Sequence, residues 1–399
     1  MSMWSLKKYG VRTTLLSLVA VLLVAVSTTY AARYIVTPLI SPAPDYSDAV
    51  SINSSGSVTG HLTHSPFNPF STAKSMGYVY KNHSTTTLSA PNGVSNTSGL
   101  AINGSGQVAG TVAGVPHAFL WTNGIPQDLG VLSGTTGSVP YGINDLGAVV
   151  GYSGSYPFIW QNGVMNRVGS ATGMAYNINN FGEVVGWSSE RPVLWDSSGN
   201  MTYLSAANGY AYDINDAKQV VGRHASGGTV MGFLWQNGVL QTLPLPVGST
   251  IAFPYAINSS GVMVGGGAFQ NVDHAVLWEN GLAYDLNTLI PVGTGWVLAS
   301  ARDINASGQI VGYGTFNGKT QGFLLKPDSI APVTQAAVNG TAGCGGWYTS
   351  PVSVTLTATG TSIKEIHYSL DGAAEVIISD VTATIPVSGD AAHTVSYYA

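Results

Sequence analysis

Between Tyr210 and Arg223 the chain reads YAYDINDAKQVVGR: an alternating run, a polar break, and a second apolar run that closes on Gly222. Alternation with period two is the pattern of a strand with one buried face, and breaks rich in Asn, Asp and Gly are turns. AYDIN predicts a strand a and QVVGR a strand b, with GFLWQ and VLQTLPL following as strands c and d. The c–d turn holds Asn-Gly, the strongest short hairpin signal, and it returns in WTNG from Trp121, WQNG from Trp160 and WENG from Trp278. The Ile-Asn hairpin recurs at Ile52, Ile102, Ile143, Ile178, Ile214, Ile257 and Ile304, with 35 to 50 residues between starts. Each Ile is followed by Asn, and strand b of each copy closes on a glycine: Gly60, Gly110, Gly151, Gly186, Gly222, Gly265 and Gly312. The a–b turn is Asn-x-x-Gly, in which Asn can bond the turn backbone and Gly can take a positive φ. In the fifth copy Lys218 stands at the glycine position, and the turn there is expected to differ.

A repeat of this length with four short strands is the size of one propeller blade. The ends of the repeat region choose between a ring and an open solenoid. The last copy runs through QGFLLKPD without a fourth strand, and a matching strand, RYIVTPLI (Arg33–Ile40), precedes the first copy. A split repeat closes a ring, and it serves no purpose in a solenoid. The expectation is an all-β chain: a seven-bladed β-propeller over residues 33–327 whose N-terminal strand completes the last blade.

HAFLW (His117–Trp121), HAVLW (His274–Trp278) and the recurring Ile-Asn…Gly…Val-Val-Gly unit resemble the bacterial extracellular repeat named for its His-Ala-Phe motif. That resemblance covers about residues 33–327 and implies an exported repeat protein, without implying an activity. The other copies read GYVY, PFIW, PVLW, GFLW and GFLL, so histidine is not a ligand shared by every blade. After PDSIAP the hairpin stops. GWYTSPVSVTLTATG and KEIHYSLDG alternate as half-buried strands do. Residues 328–399 are expected to form a small Ig-like β-sandwich, similar to those appended to bacterial secreted and outer-membrane proteins. Such domains run on past the equivalent of HTVSYYA, so this one is expected to be truncated or completed by other sequence.

Residues 1–32 change the picture of where the chain works. Lys7, Lys8 and Arg12 precede the apolar run LLSLVAVLLVAV (Leu15–Val26), and small residues lead to a cleavage site after Ala31 or Ala32. This is the layout of a signal peptide; the run is short for a membrane anchor. The expected destination is outside the cytoplasm, with no membrane span after the peptide is removed. Removal takes three of the 14 basic residues and no acidic ones, leaving 11 against 19, a net charge of −8. A basic-poor chain lacks the electrostatic footprint of a nucleic-acid binder. Cys344 is the one cysteine, so no internal disulfide forms. Charged residues are 8% of the chain, and there are 50 glycines.

Chemistry is sparse. No Gly-x-Ser-x-Gly elbow, phosphate-binding glycine loop or His-Glu-x-x-His helix occurs, and no metal or cofactor is expected. His61 and His64 in HLTH lack the carboxylates or thiols that would complete a metal site. Asp213 and Asp303 precede the Ile of strand a, and facing each other across a channel they would serve a glycosidase as acid and base. Tyr141, Tyr176, Tyr212 and Tyr255 stand two residues before the Ile, which predicts that they share its face and pack against the neighbouring blade. The tryptophans Trp121, Trp160, Trp195, Trp235 and Trp278 are read as packing between blades, and the repeated asparagines as turn caps.

Function is expected on the face carrying the long d–a and b–c connections, since variable loops on a rigid scaffold carry function. His61, Tyr152, Trp187, Arg223 and Tyr313 directly follow the strand-b glycine and point there; the loops add Phe67, Phe70, Phe253 and Trp296. Together they suggest a monomeric binding scaffold for a protein or carbohydrate ligand. A propeller glycoside hydrolase or lyase, and a purely structural envelope repeat, are the alternatives.

Overall fold

The computed structural model describes residues 20–25, 33–39, 46–63, 75–91, 96–270, 272–328, 333–342, 347–359, 365–388 and 391–398. Two compact units divide the chain: Tyr34–Pro327, and Met1–Arg33 with Asp328–Ala399.

In the first unit the alternating runs form strands as their pattern predicts. The fifth repeat folds as Gly209–Ile214, Val220–Ser226, Thr229–Gln236 and Val239–Thr242, one antiparallel sheet in the order a-b-c-d. Seven such four-stranded sheets make up the unit. Their a strands are Tyr46–Ile52, Thr97–Ile102, Ser138–Ile143, Met174–Ile178, Gly209–Ile214, Ser249–Ile257 and Trp296–Ile304. Each lies beside the a strand of the next sheet, and the seventh lies beside the first. The unit is a seven-bladed β-propeller. Its last blade is completed by the N-terminal strand Tyr34–Pro38, which pairs with Lys319–Pro327 from Tyr34 opposite Pro327 to Pro38 opposite Phe323.

The repeated asparagines do more than cap turns. In the third blade, Asn144 Oδ1 accepts from the backbone N–H groups of Leu146 and Ala148, as a turn cap should. Its Nδ2 reaches out of the blade and donates to the carbonyl of Asn179, the equivalent residue of the next blade, at 3.0 Å. The same bond joins Asn53 to Asn103, Asn103 to Asn144, Asn179 to Asn215, Asn215 to Asn258 and Asn258 to Asn305, and Asn305 returns to Asn53 at 3.0 Å. A closed circle of seven buried amide–carbonyl bonds therefore links every blade to the next. Lys218 does not alter its turn: it takes φ of +59°, donates its N–H to Asn215 O like the glycines, and extends its ammonium to Glu183 of the preceding blade.

Between blades the core is apolar. Trp121, Trp195 and Trp278 are 1% exposed, and Trp195 packs with Ala148, Val150 and Val168 of the preceding blade. Trp121 and Trp278 also satisfy their indole N–H groups on the carbonyls of Ser89 and Pro244, as buried tryptophans require. The histidines of the two His-Ala copies bond the aspartate of their own outer strand, His117 to Asp128 at 2.9 Å and His274 to Asp285 at 2.7 Å.

The second unit is a two-sheet sandwich. Val333–Asn339, Val352–Thr359 and Thr382–Val387 form one sheet, and Ala392–Tyr398, Ile366–Leu370 and Val376–Ile378 belong to the other. Val354, Leu356, Ile366, Ile385 and Val395 fill the space between. The expected signal peptide lies outside the described residues except for Ala20–Ala25, a strand that pairs in parallel with Ala392–Tyr398.

Candidate functional site

The seven a strands carry the same irregularity. In each, the register with strand b slips by one residue just before the Ile, leaving one residue without a partner: Val50, Leu100, Tyr141, Tyr176, Tyr212, Tyr255 and Arg302. A bulge bends its strand and re-aims the extra side chain. These seven residues line one cavity of about 410 Å³ enclosed by the inner strands. The strand-b glycines are the counterpart of the bulge. Each pairs with the residue before it, and a Cβ on any of them would lie 1.9 to 2.2 Å from a strand-a carbonyl oxygen. Glycine is there because the bulged backbone leaves no room for a side chain.

This corrects the placement of the tyrosines. Period two assigned them to the face of the Ile, but the extra residue breaks the alternation and turns them into the channel. Their rings form a continuous arc, with centroids 5.3 Å apart between Tyr141 and Tyr176, 5.8 Å between Tyr176 and Tyr212, and 5.6 Å between Tyr212 and Tyr255. Burial raises all four hydroxyl pKa values, that of Tyr141 to about 12. Arg302 ends the arc. Its guanidinium stands 5.4 Å from the centroid of Tyr255 and 5.1 Å from that of Tyr313.

Asp213 and Asp303 also line the channel, but their oxygens are committed to backbone. Asp213 accepts from the N–H of its own Ile214 and from Ile257 of the next blade, both at 2.8 Å, and from the Asn177 amide. Asp303 accepts from Ile304 at 2.8 Å, from Ile52 of the first blade at 2.9 Å, and from the Ser51 hydroxyl. Each carboxylate thus satisfies inner-edge N–H groups of two blades. Burial pushes Asp213 up to about 7 and Asp303 up to about 6, with the Asp303 charge adding to the rise at Asp213 and the N–H donors opposing it. They staple blades together rather than presenting free oxygens to a ligand.

Of the residues expected on the long-loop face, five extend the tyrosine arc. Tyr152 lies against Tyr141 at 5.8 Å, Trp187 stands edge-on to Tyr210 at 6.2 Å, and Phe253 stands edge-on to Tyr255 at 5.6 Å. Arg223 sits 5.0 Å from the Tyr210 centroid and 5.1 Å from that of Phe253, and Tyr313 meets Arg302. Phe253 and Tyr313 also line a second cavity of about 220 Å³ that shares Tyr255 with the channel. Two residues are corrected. Trp296 is buried, stacked on Phe316 and edge-on to Phe323, so it serves the core of the last blade. His61 is 2% exposed and pairs through Nδ1 with Asp48 at 3.1 Å in the channel wall. Burial pushes Asp48 up and His61 down. Phe67, Phe70 and His64 lie outside the described residues. Among the described residues no group of His, Cys, Asp and Glu is arranged to hold a metal ion.

Arg302, Asp48 and Tyr210 were missed in the sequence. Arg302 occupies the tyrosine position of the seventh copy, so aligning the repeats would have drawn attention to it; Asp48 has no equivalent in the other copies.

No family model matches the chain, and no curated protein matches it; the resemblance to the His-Ala-Phe repeat therefore rests on its own residues. Among solved structures the chain is similar to a catalytically inactive virginiamycin B lyase from Staphylococcus aureus with quinupristin. The identity is 11%, covering 74% of this chain and 99% of that one, with a TM-score of 0.48. A streptogramin B lyase gives 9% identity over 75% of this chain and all of that one, with a TM-score of 0.49. YCF48 with a bound peptide gives 10% identity over 76% of this chain and 97% of that one, with a TM-score of 0.47. None of the three bears on what this chain does. No helix among the described residues is long and apolar enough to cross a membrane.

Proposed function

We propose that this chain is an exported binding module whose ligand enters the propeller channel from the long-loop face, with residues 1–32 as the export signal. The aromatic wall carries the reading: Tyr152, Trp187, Tyr210 and Phe253 join the arc of Tyr141, Tyr176, Tyr212 and Tyr255 ring to ring, and Tyr313 joins it through the Arg302 guanidinium. Packing alone does not call for half-buried rings around a cavity. Such rings offer flat apolar area at low ordering cost, together with hydroxyls that can donate and accept. Hydrolysis by Asp213 and Asp303 is the weaker reading, because an acid and a base need oxygens free to meet the substrate, and theirs are held by backbone N–H groups.

A glycan array and a pull-down from cell-envelope extract test the reading, each repeated with Trp187→Ala and Tyr212→Ala. Binding that both substitutions abolish supports the channel. Binding that survives both puts the site elsewhere, and turnover of a polysaccharide lost in Asp213→Asn would make the chain an enzyme.

A further inference from the structure

Two arginines stand in this wall without a salt bridge among the described residues. The chain carries more acidic than basic residues, so a cation has acids to pair with, and elsewhere Lys218 pairs with Glu183. Arg302 and Arg223 instead lie over aromatic rings, and among the described residues neither makes an ion pair. Arg302 lies 5.4 Å from the Tyr255 centroid, and Arg223 lies 5.1 Å from that of Phe253, which stands edge-on to Tyr255 at 5.6 Å, so both occupy the same stretch of wall. Of the acids nearby, Asp48 faces His61 and Asp303 holds the N–H groups of Ile52 and Ile304, while Asp273 stands in the lining of the second cavity with Tyr255 and Tyr313 and forms no ion pair with either arginine. A guanidinium stacked on a ring keeps its in-plane N–H groups available, in the fork that matches a carboxylate.

We infer that the channel binds an acidic polysaccharide of uronic-acid type, with the sugar faces on Tyr212 and Tyr255 and successive carboxylates on Arg302 and Arg223. The inference rests on the reading of the channel as a binding site. Arg302 is the one cation among the seven bulged residues, which suits a group of single negative charge; a phosphate dianion among three aspartates would need more. An extended peptide is a poorer fit. Strand addition requires free N–H groups on an open edge, and the inner-edge N–H groups of Ile52, Ile178, Ile214, Ile257 and Ile304 are already capped by side chains. Saccharides need no such edge, since their ring faces stack on aromatic side chains and their hydroxyls bond the phenols.

Calorimetric titration of the full chain with trimers of galacturonate, glucuronate, mannuronate and guluronate tests this, alongside the methyl ester of each trimer, which is neutral and nearly the same shape. At least one acid should bind at least about tenfold more tightly than its ester, and the preference should weaken at high salt. Arg302→Gln should remove most of that preference. Arg302→Lys, which keeps the charge without the fork, should fall between, with both variants melting as the parent does. Equal binding of acid and ester would overturn the carboxylate contact while leaving a sugar-binding channel. Failure of every trimer, with binding of a protein or neutral glycan that Tyr212→Ala abolishes, would overturn the acidic ligand but keep the channel. Trimer binding unchanged in both Arg302→Gln and Tyr212→Ala would overturn the inference and the channel together.

Discussion

The circle of asparagine bonds makes a definite claim about what holds the ring together, and Asn144→Ala tests it. Asn144 is 6% exposed and makes three bonds: two accepted within its turn, from Leu146 and Ala148, and one donated to Asn179 O in the next blade. A typical buried bond contributes about 1 kcal/mol net, and a buried donor left without a partner costs roughly 1–3 kcal/mol. Ala148 is 1% exposed, so its N–H would be such an orphan. The Asn179 carbonyl keeps one donor, the N–H of Gly182, so its loss is smaller. The expected destabilisation is about 3 kcal/mol, dominated by the turn. Asn144→Asp separates the two roles: its oxygens still cap the turn, but the donor to Asn179 becomes an acceptor facing an acceptor. Its cost should be small in acid, where a protonated carboxyl can still donate, and should grow as that carboxyl ionises. Equilibrium urea unfolding at two pH values measures both. If Asn144→Ala costs under about 0.5 kcal/mol, or if Asn144→Asp is insensitive to pH, water replaces the amide and the circle does not stabilise the ring.

Three further outcomes follow from the fold. Gly186→Ala should cost at least about 2 kcal/mol in a thermal melt, because the added Cβ would lie 1.9 Å from the Met174 carbonyl oxygen; an unchanged melting temperature would mean that the bulge relaxes freely. Deleting residues 34–38 should lower the melting temperature and bring proteolysis within the last blade, since it exposes the edge of Lys319–Pro327; a truncated chain as stable as the parent would refute closure by that strand. Asp213 carries a proton linkage whose sign is fixed. Its folded pKa of about 7 lies above its ordinary 3.8, so between those values the folded state holds more protons and the stability from this group falls as pH rises. The deficit of Asp213→Asn relative to the parent should therefore be larger at pH 5 than at pH 8, and a deficit independent of pH would show that Asp213 titrates normally.

The repeat, its seven copies and the split last blade were legible because each depends on local patterning: alternation, Asn-Gly turns and a missing fourth strand. The strand-b glycines were legible as a pattern but not as a cause. What period-two reasoning could not see was the extra residue in each a strand, because a bulge leaves the sequence alternating on both sides and changes only which face comes next. One displaced residue per blade accounts for several facts at once. It sends Tyr141, Tyr176, Tyr212, Tyr255 and Arg302 into the channel, presses a carbonyl onto the glycine opposite, and leaves the Ile N–H groups to be capped by Asp213 and Asp303. The residues that looked like an acid and a base are consequently part of the frame, and those that looked like packing make the wall a ligand would meet. Asp48, and with it the buried role of His61, escaped notice for a different reason. Their pairing joins residues opposite each other on neighbouring strands, and no second copy repeats it. In a repeat protein the shared positions build the ring, so a departure from the repeat at a channel position, as with Arg302 among tyrosines, is the stronger pointer to function.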